Sequence, residues 1–172
     1  QVSKFNRFLM MALMAMPLVI TSCAKDDDET TPSNPGGDQV ISGEITTSTT
    51  WTSNNTYILT GGVHVLDGVT LTIEAGTKII SNVNEPSVAY LLFERGSKIM
   101  AEGTKDAPIV FTSGESTPAR GVWGGIIICG KAPINNGTEA VAEVGDVMYG
   151  GNISSDNSGI LKYVRVEYTG NA

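Results

Sequence analysis

The side chains able to do chemistry in this chain are few and scattered. There is one histidine, His64, and there are two cysteines, Cys23 and Cys129. A nucleophile and base would have to be Cys129 with His64. Cys129 follows Ile126-Ile127-Ile128, a setting that suits a buried, inert thiol. His64 lies in the alternating run Val63-His64-Val65-Leu66, which turns it away from its apolar neighbours and toward solvent. Carboxylates acting as acid and base, or holding Ca²⁺, must cluster on one face. Asp106, Asp146 and Asp156 stand alone, and only Glu74 and Glu94 recur at regular spacing. These two precede Lys78 and Lys98, which favours a structural charge ladder over a catalytic pair. The chain has no Gly-Gly-x-Gly-x-Asp repeat and no phosphate-binding loop, so no catalytic residue, metal site or cofactor is expected. Flat rings suit the apolar faces of pyranoses, making Trp51, Trp123, Tyr149 and Tyr163 the candidate glycan-stacking residues if they share a face. Trp123, between Gly121 and Gly124-Gly125, is better placed as a core plug at a coil end.

Composition limits the elements that could position these groups. The chain has 172 residues, 20 of them Gly, with 17% charged residues and a net charge of -7. That length suits about one domain. A nucleic-acid partner would need a basic face, which this charge does not provide, and two cysteines are too few for a disulfide scaffold. High glycine and low charge predict frequent turns and few amphipathic helices.

Residues 1–22 read as an address. Lys4 and Arg7 precede the apolar run Phe8–Ile20, which has the length of a signal-peptide h-region and is too short to span a bilayer. Ile20-Thr21-Ser22-Cys23 resembles the lipobox of bacterial lipoproteins, which implies acylation of Cys23 after cleavage in front of it. The alternative is a free or disulfide-bonded Cys23 in an ordinary secreted protein. Lys25, Asp26, Asp27, Asp28 and Glu29 follow. By composition they form a solvated tether. They are also similar to the signal that sends lipoproteins of Bacteroides-type bacteria to the outer face of the outer membrane. Residues 30–38 continue as a Pro-, Gly- and Ser-containing linker. Losing residues 1–22 removes Lys4 and Arg7 but no acid, taking the charge from -7 to -9. Charge would not hold such a chain on anionic lipid, so acyl chains on Cys23 are the expected membrane contact.

From Ile41 onward, short β-rich runs alternate with Gly, Asn and Asp turns, predicting all-β structure. Leu71–Ile80 (LTIEAGTKII) aligns with Leu91–Met100 (LLFERGSKIM) at an offset of 20 residues with five identities. That offset is close to one coil of a parallel β-solenoid. It predicts that Gly76 stacks on Gly96, Ile79 on Ile99, and Lys78 and Lys98 beside Glu74 and Glu94. Leu66-Asp67-Gly68-Val69 repeats the pattern more loosely within one coil. A β-sandwich is the structural alternative.

The stretches GGVHVLDGVTLTIEAGTKI (61–79), GSKIMAEGTKDAPIVFTS (96–113), WGGIIICGKAPINN (123–136) and DNSGILKYVRVEYTG (156–170) together resemble surface lipoproteins of Bacteroides-type bacteria. The resemblance implies a right-handed parallel β-helix behind a lipobox and linker, on the exterior of the outer membrane. Three regions follow: a signal peptide (1–22), a lipidated acidic tether (23–38) and a β-helix (39–172). The helix is expected to be incomplete or covered at its C-terminal end, because Gly170-Asn171-Ala172 follows a strand without a polar cap. Such a molecule would present its β-helix for glycan binding, adhesion or scaffolding, with a polysaccharide or another surface protein as partner. The alternative is a β-helix lyase or hydrolase whose catalytic coils lie beyond residue 172.

Overall fold

In the computed structural model, residues 36–171 are described. They form strands and turns without a helix. The strands, in chain order, are β1 (Asp38–Ile45), β2 (Thr49–Trp51), β3 (Thr56–Val65), β4 (Thr70–Ile73), β5 (Lys78–Ser81), β6 (Tyr90–Phe93), β7 (Lys98–Glu102), β8 (Ile109–Ser113), β9 (Gly125–Ile128), β10 (Glu139–Val141), β11 (Met148–Gly150), β12 (Gly159–Lys162) and β13 (Val164–Val166). All pairings are parallel except the β10–β11 hairpin. The chain is a right-handed parallel β-helix, as the resemblance implies.

Each coil contributes to three faces. β3 is long enough to serve two of them: Thr56–Leu59 pair with β5 and Gly62–Val65 with β6. The third face is β2, β4, β7 and β12, side by side. Alternation sends every second side chain into the tube, where Tyr57, Ile79 and Phe111 stack in one column and Leu71 and Ile99 in another. These side chains are at most 5% exposed and belong to one continuous core.

The coils lengthen along the chain. Thr56 pairs with Lys78, 22 residues on; Val63 with Leu91, 28 on; Tyr90 with Gly125, 35 on; and Ile99 with Gly159, 60 on. The last step holds an excursion over residues 129–158 that carries the β10–β11 hairpin. Part of it folds back onto the outer side of β6. Leu92 points outward, between the inward Leu91 and Phe93, yet is fully buried; a Cβ at Gly145 would lie 2.7 Å from its Cδ1.

The 20-residue repeat is real but is not the coil. Leu71 stacks on Ile99 and Leu91 on Val63, so the two aligned segments are not neighbours. What repeats is a corner. In β4–turn–β5, Thr77 N–H donates to Glu74 O at 3.2 Å and its hydroxyl to the same oxygen at 2.7 Å. In β6–turn–β7, Ser97 does the same to Glu94 O at 3.0 and 2.7 Å. The turn Leu66–Val69 is a third copy, with Val69 N–H donating to Leu66 O at 3.0 Å. The third residue of each turn, Gly68, Gly76 or Gly96, has φ between 79 and 88°, which glycine adopts without a Cβ penalty. Gly96 therefore stacks on Gly68, accepting its N–H at 3.2 Å, and not on Gly76. Glu74 and Glu94 do not form a ladder with Lys78 and Lys98: Glu74 accepts from Ser53 N–H at 3.2 Å, while Glu94 faces His64.

Candidate functional site

The corner after β3, the corner after β6 and the excursion enclose a cleft of about 330 Å³ lined by Asp67, Glu94, Arg95, Lys131, Val147 and Met148. Asp67 and Arg95 hold corresponding places in two stacked corners, which brings side chains 28 residues apart onto one wall. Lys131, just after β9, reaches across to Asp67 Oδ1 at 3.1 Å. Arg95 ties down the hairpin, donating to Glu139 Oε1 at 2.6 Å and to Gly150 O at 3.1 Å. Both cations thus face protein carboxylates. Counting Glu139, three carboxylates meet two cations.

Glu94 connects the cleft to a second group of side chains on the outer face of β3 and β6. His64 Nδ1 lies 3.4 Å from Glu94 Oε1, and His64 Nε2 lies 3.1 Å from the Tyr90 hydroxyl. One tautomer satisfies both contacts, with Nδ1–H donating to Glu94 and the Tyr90 O–H donating to Nε2. Tyr90 can lean toward His64 because its partner across the ladder is Gly62, where a Cβ would collide with the phenol. The sequence directs His64 outward, and it is outward, but Tyr90, Glu94 and the Gly145 segment leave its side chain only 21% exposed.

Cys129 is a buried free thiol, as the apolar run before it predicts. Burial pushes its pKa up, the Glu94 carboxylate adds to the rise, and the Arg95 guanidinium opposes it. His64 has both nitrogens directed at Glu94 and Tyr90, so the two residues do not make a nucleophile and base pair.

The four aromatic candidates are not brought together. Trp51 is 3% exposed and stacks on Tyr57, with centroids 4.7 Å apart and planes at 15°. Trp123 is 1% exposed and donates from Nε1 to Glu167 O at 2.7 Å. Both are core residues without a face for a sugar, which corrects their assignment as stacking groups; for Trp123 the core plug is the right reading. Tyr149 and Tyr163 are exposed, Tyr149 on the hairpin next to Met148 of the cleft and Tyr163 at the corner between β12 and β13, with φ 49°. Among the described residues, no group of three or more His, Cys, Asp or Glu is placed to hold a metal ion. Cys23, Lys25, Asp26, Asp27, Asp28 and Glu29 lie outside the described residues.

Asp67, Tyr90, Arg95 and Lys131 were not legible as a group in the sequence. The corner signature, a glycine followed by Thr or Ser, locates Arg95, and its looser copy around Gly68 locates Asp67. Only the true 28-residue register puts them together.

A family model described as a pectate-lyase-like β-helix domain matches residues 43–172. No curated protein and no solved structure matches the chain.

Proposed function

The chain belongs to the pectate-lyase-like β-helix family, and on that premise we propose that it is a lipid-anchored cell-surface protein that binds glycan through the cleft beside β6 without cleaving it. The anchor is Cys23, acylated at the mature N-terminus, with residues 23–38 as an acidic tether that carries the β-helix clear of the outer membrane on the cell exterior. The observation that carries the binding role is the cleft itself. It is a polar concavity of about 330 Å³, at the small end of the roughly 300–1,000 Å³ of small-molecule sites, and its donors and acceptors are held in place by ion pairs and the hairpin. Exposed Tyr149 and Tyr163 are further sugar-stacking candidates.

A second reading, a β-helix polysaccharide lyase or hydrolase, is favoured by one feature. Glu94, His64 and Tyr90 are joined in series by contacts of 3.4 and 3.1 Å, the kind of arrangement that moves protons. A glycan array combined with a depolymerisation assay on the full chain separates the two. Retention of a polysaccharide with no fall in its chain length is the expected result, and cleavage of any polysaccharide overturns the non-catalytic role. Absence of all glycan binding would replace it with adhesion or scaffolding.

A further inference from the structure

We propose that the cleft selects an uncharged saccharide over an acidic one; this rests on the glycan-binding reading above and names the ligand class. Charge decides it. Lys131 faces Asp67 at 3.1 Å, and Arg95 faces Glu139 at 2.6 Å and Gly150 O at 3.1 Å. With Glu94 the cleft sets three carboxylates against these two cations, so a ligand carboxylate meets a surplus of negative charge, and like charges repel.

A neutral sugar needs neither pair broken. Each ring hydroxyl both donates and accepts, so it can insert beside a standing ion pair, giving a hydrogen bond to the carboxylate while taking one from the cation. Glu94 is suited to this role: His64 holds one carboxylate oxygen, and the carboxylate lines the cleft. Asp67 and Lys131 form the opposite donor–acceptor pair. Val147 and Met148 supply the apolar surface for the C–H face of a pyranose. The Glu94 side chain is 31% exposed and that of Asp67 69%, so both acceptors are open to a ligand.

The test is calorimetric titration of the full chain carrying Cys23→Ser with galactomannan, glucomannan and dextran as neutral probes and polygalacturonate as the acidic probe. The expected outcome is that at least one neutral polymer binds about tenfold or more tighter than polygalacturonate. Its affinity should be nearly unchanged by added salt, which screens charge attraction only. Asp67→Asn and Glu94→Gln should each weaken that binding by about tenfold, the scale of a hydrogen bond to a charged acceptor. Because Asp67 is exposed and its ion pair adds little stability, Asp67→Asn remains folded and informative even if Glu94→Gln does not. Tightest binding to polygalacturonate overturns the inference but leaves glycan binding intact. Neutral binding indifferent to both substitutions overturns the assignment to this cleft. Failure of every polymer to bind overturns the glycan-binding reading itself.

Discussion

At the scale of single residues, the environment decides which reactive groups are available. Cys129 shows this best. The same thiol that is a nucleophile in a polar, cationic pocket is held protonated here, because burial raises its pKa and Glu94 adds to the effect. The sign for stability follows. A thiol whose folded pKa is raised contributes stability that is fully present below its unfolded pKa and is lost as pH climbs through the folded value. The Tm of the native protein should therefore fall as pH rises through and above the ordinary thiol range, and Cys129→Ala should flatten that fall. An equal slope in both proteins would show that the thiol is not the group responsible. His64 carries the complementary lesson. Its alternation with Val63 and Val65 sends it outward, as the sequence predicts, but the phenol of Tyr90 and the carboxylate of Glu94 meet it there.

At the scale of elements, the corner is the recurring unit. A positive-φ glycine followed by Thr or Ser closes a four-residue turn and returns a hydroxyl to the carbonyl that opened it. Two consequences separate the corners at Gly76 and Gly96. Replacing either with Ala forces a Cβ onto a left-handed residue, at about 1–2 kcal/mol. At Gly76 the added methyl would meet only the Ala107 Cβ at 3.5 Å and the Ser53 Cβ at 3.8 Å, which is ordinary contact; at Gly96 it would strike the ends of Asp67 and Lys131. Those ends are flexible and can move aside, so the two variants should lose similar stability in denaturant titration, while only Gly96→Ala should open the Asp67–Lys131 pair and impair the proposed glycan binding. Equal binding by both variants would contradict the position given to the cleft.

The 20-residue identity belongs to this scale too. Residues Leu71–Ile80 and Leu91–Met100 look alike because both must turn between two faces of the tube, not because one lies on the other. The offset is a chain length between successive corners of the same design, and loops of unequal length make the stacking register 22, 28 or 35 residues instead. No single period in the sequence carries that information, since insertions at the corners cost the core nothing: they leave the inward columns of Tyr57, Ile79 and Phe111 in step.

At the scale of the whole molecule, charge bears on the proposed anchor. With residues 1–22 removed the net charge would be -9, so anionic lipid would repel the chain, and the proposed attachment through Cys23 would be hydrophobic. Two or three acyl chains hold at roughly 0.8 kcal/mol per buried CH₂, where one chain alone is marginal. Replacing Cys23 with Ser should move the protein from the membrane fraction to the soluble fraction on cell lysis and ultracentrifugation; retention in the membrane would rule out the acyl anchor. The long excursion over residues 129–158 is the other molecular-scale feature. By covering Leu92 and carrying Lys131, Val147 and Met148 to the corners, it converts one flank of an otherwise regular tube into a concave site.

The sequence by itself determined the class of fold. Two-residue alternation, glycine-punctuated turns and the repeated corner all act over fewer than about ten residues, within reach of local backbone physics. The buried setting of Cys129, the outward direction of His64 and the core role of Trp123 were legible for the same reason. The cleft was decided by tertiary structure alone. Asp67 and Arg95 line one cleft from stacked corners, Lys131 returns to Asp67 across 64 residues, and Trp51 is buried in the core against Tyr57. Each of these contacts depends on which strand lies beside which, and parallel coils separated by loops of free length leave that register to be settled by packing of the whole tube.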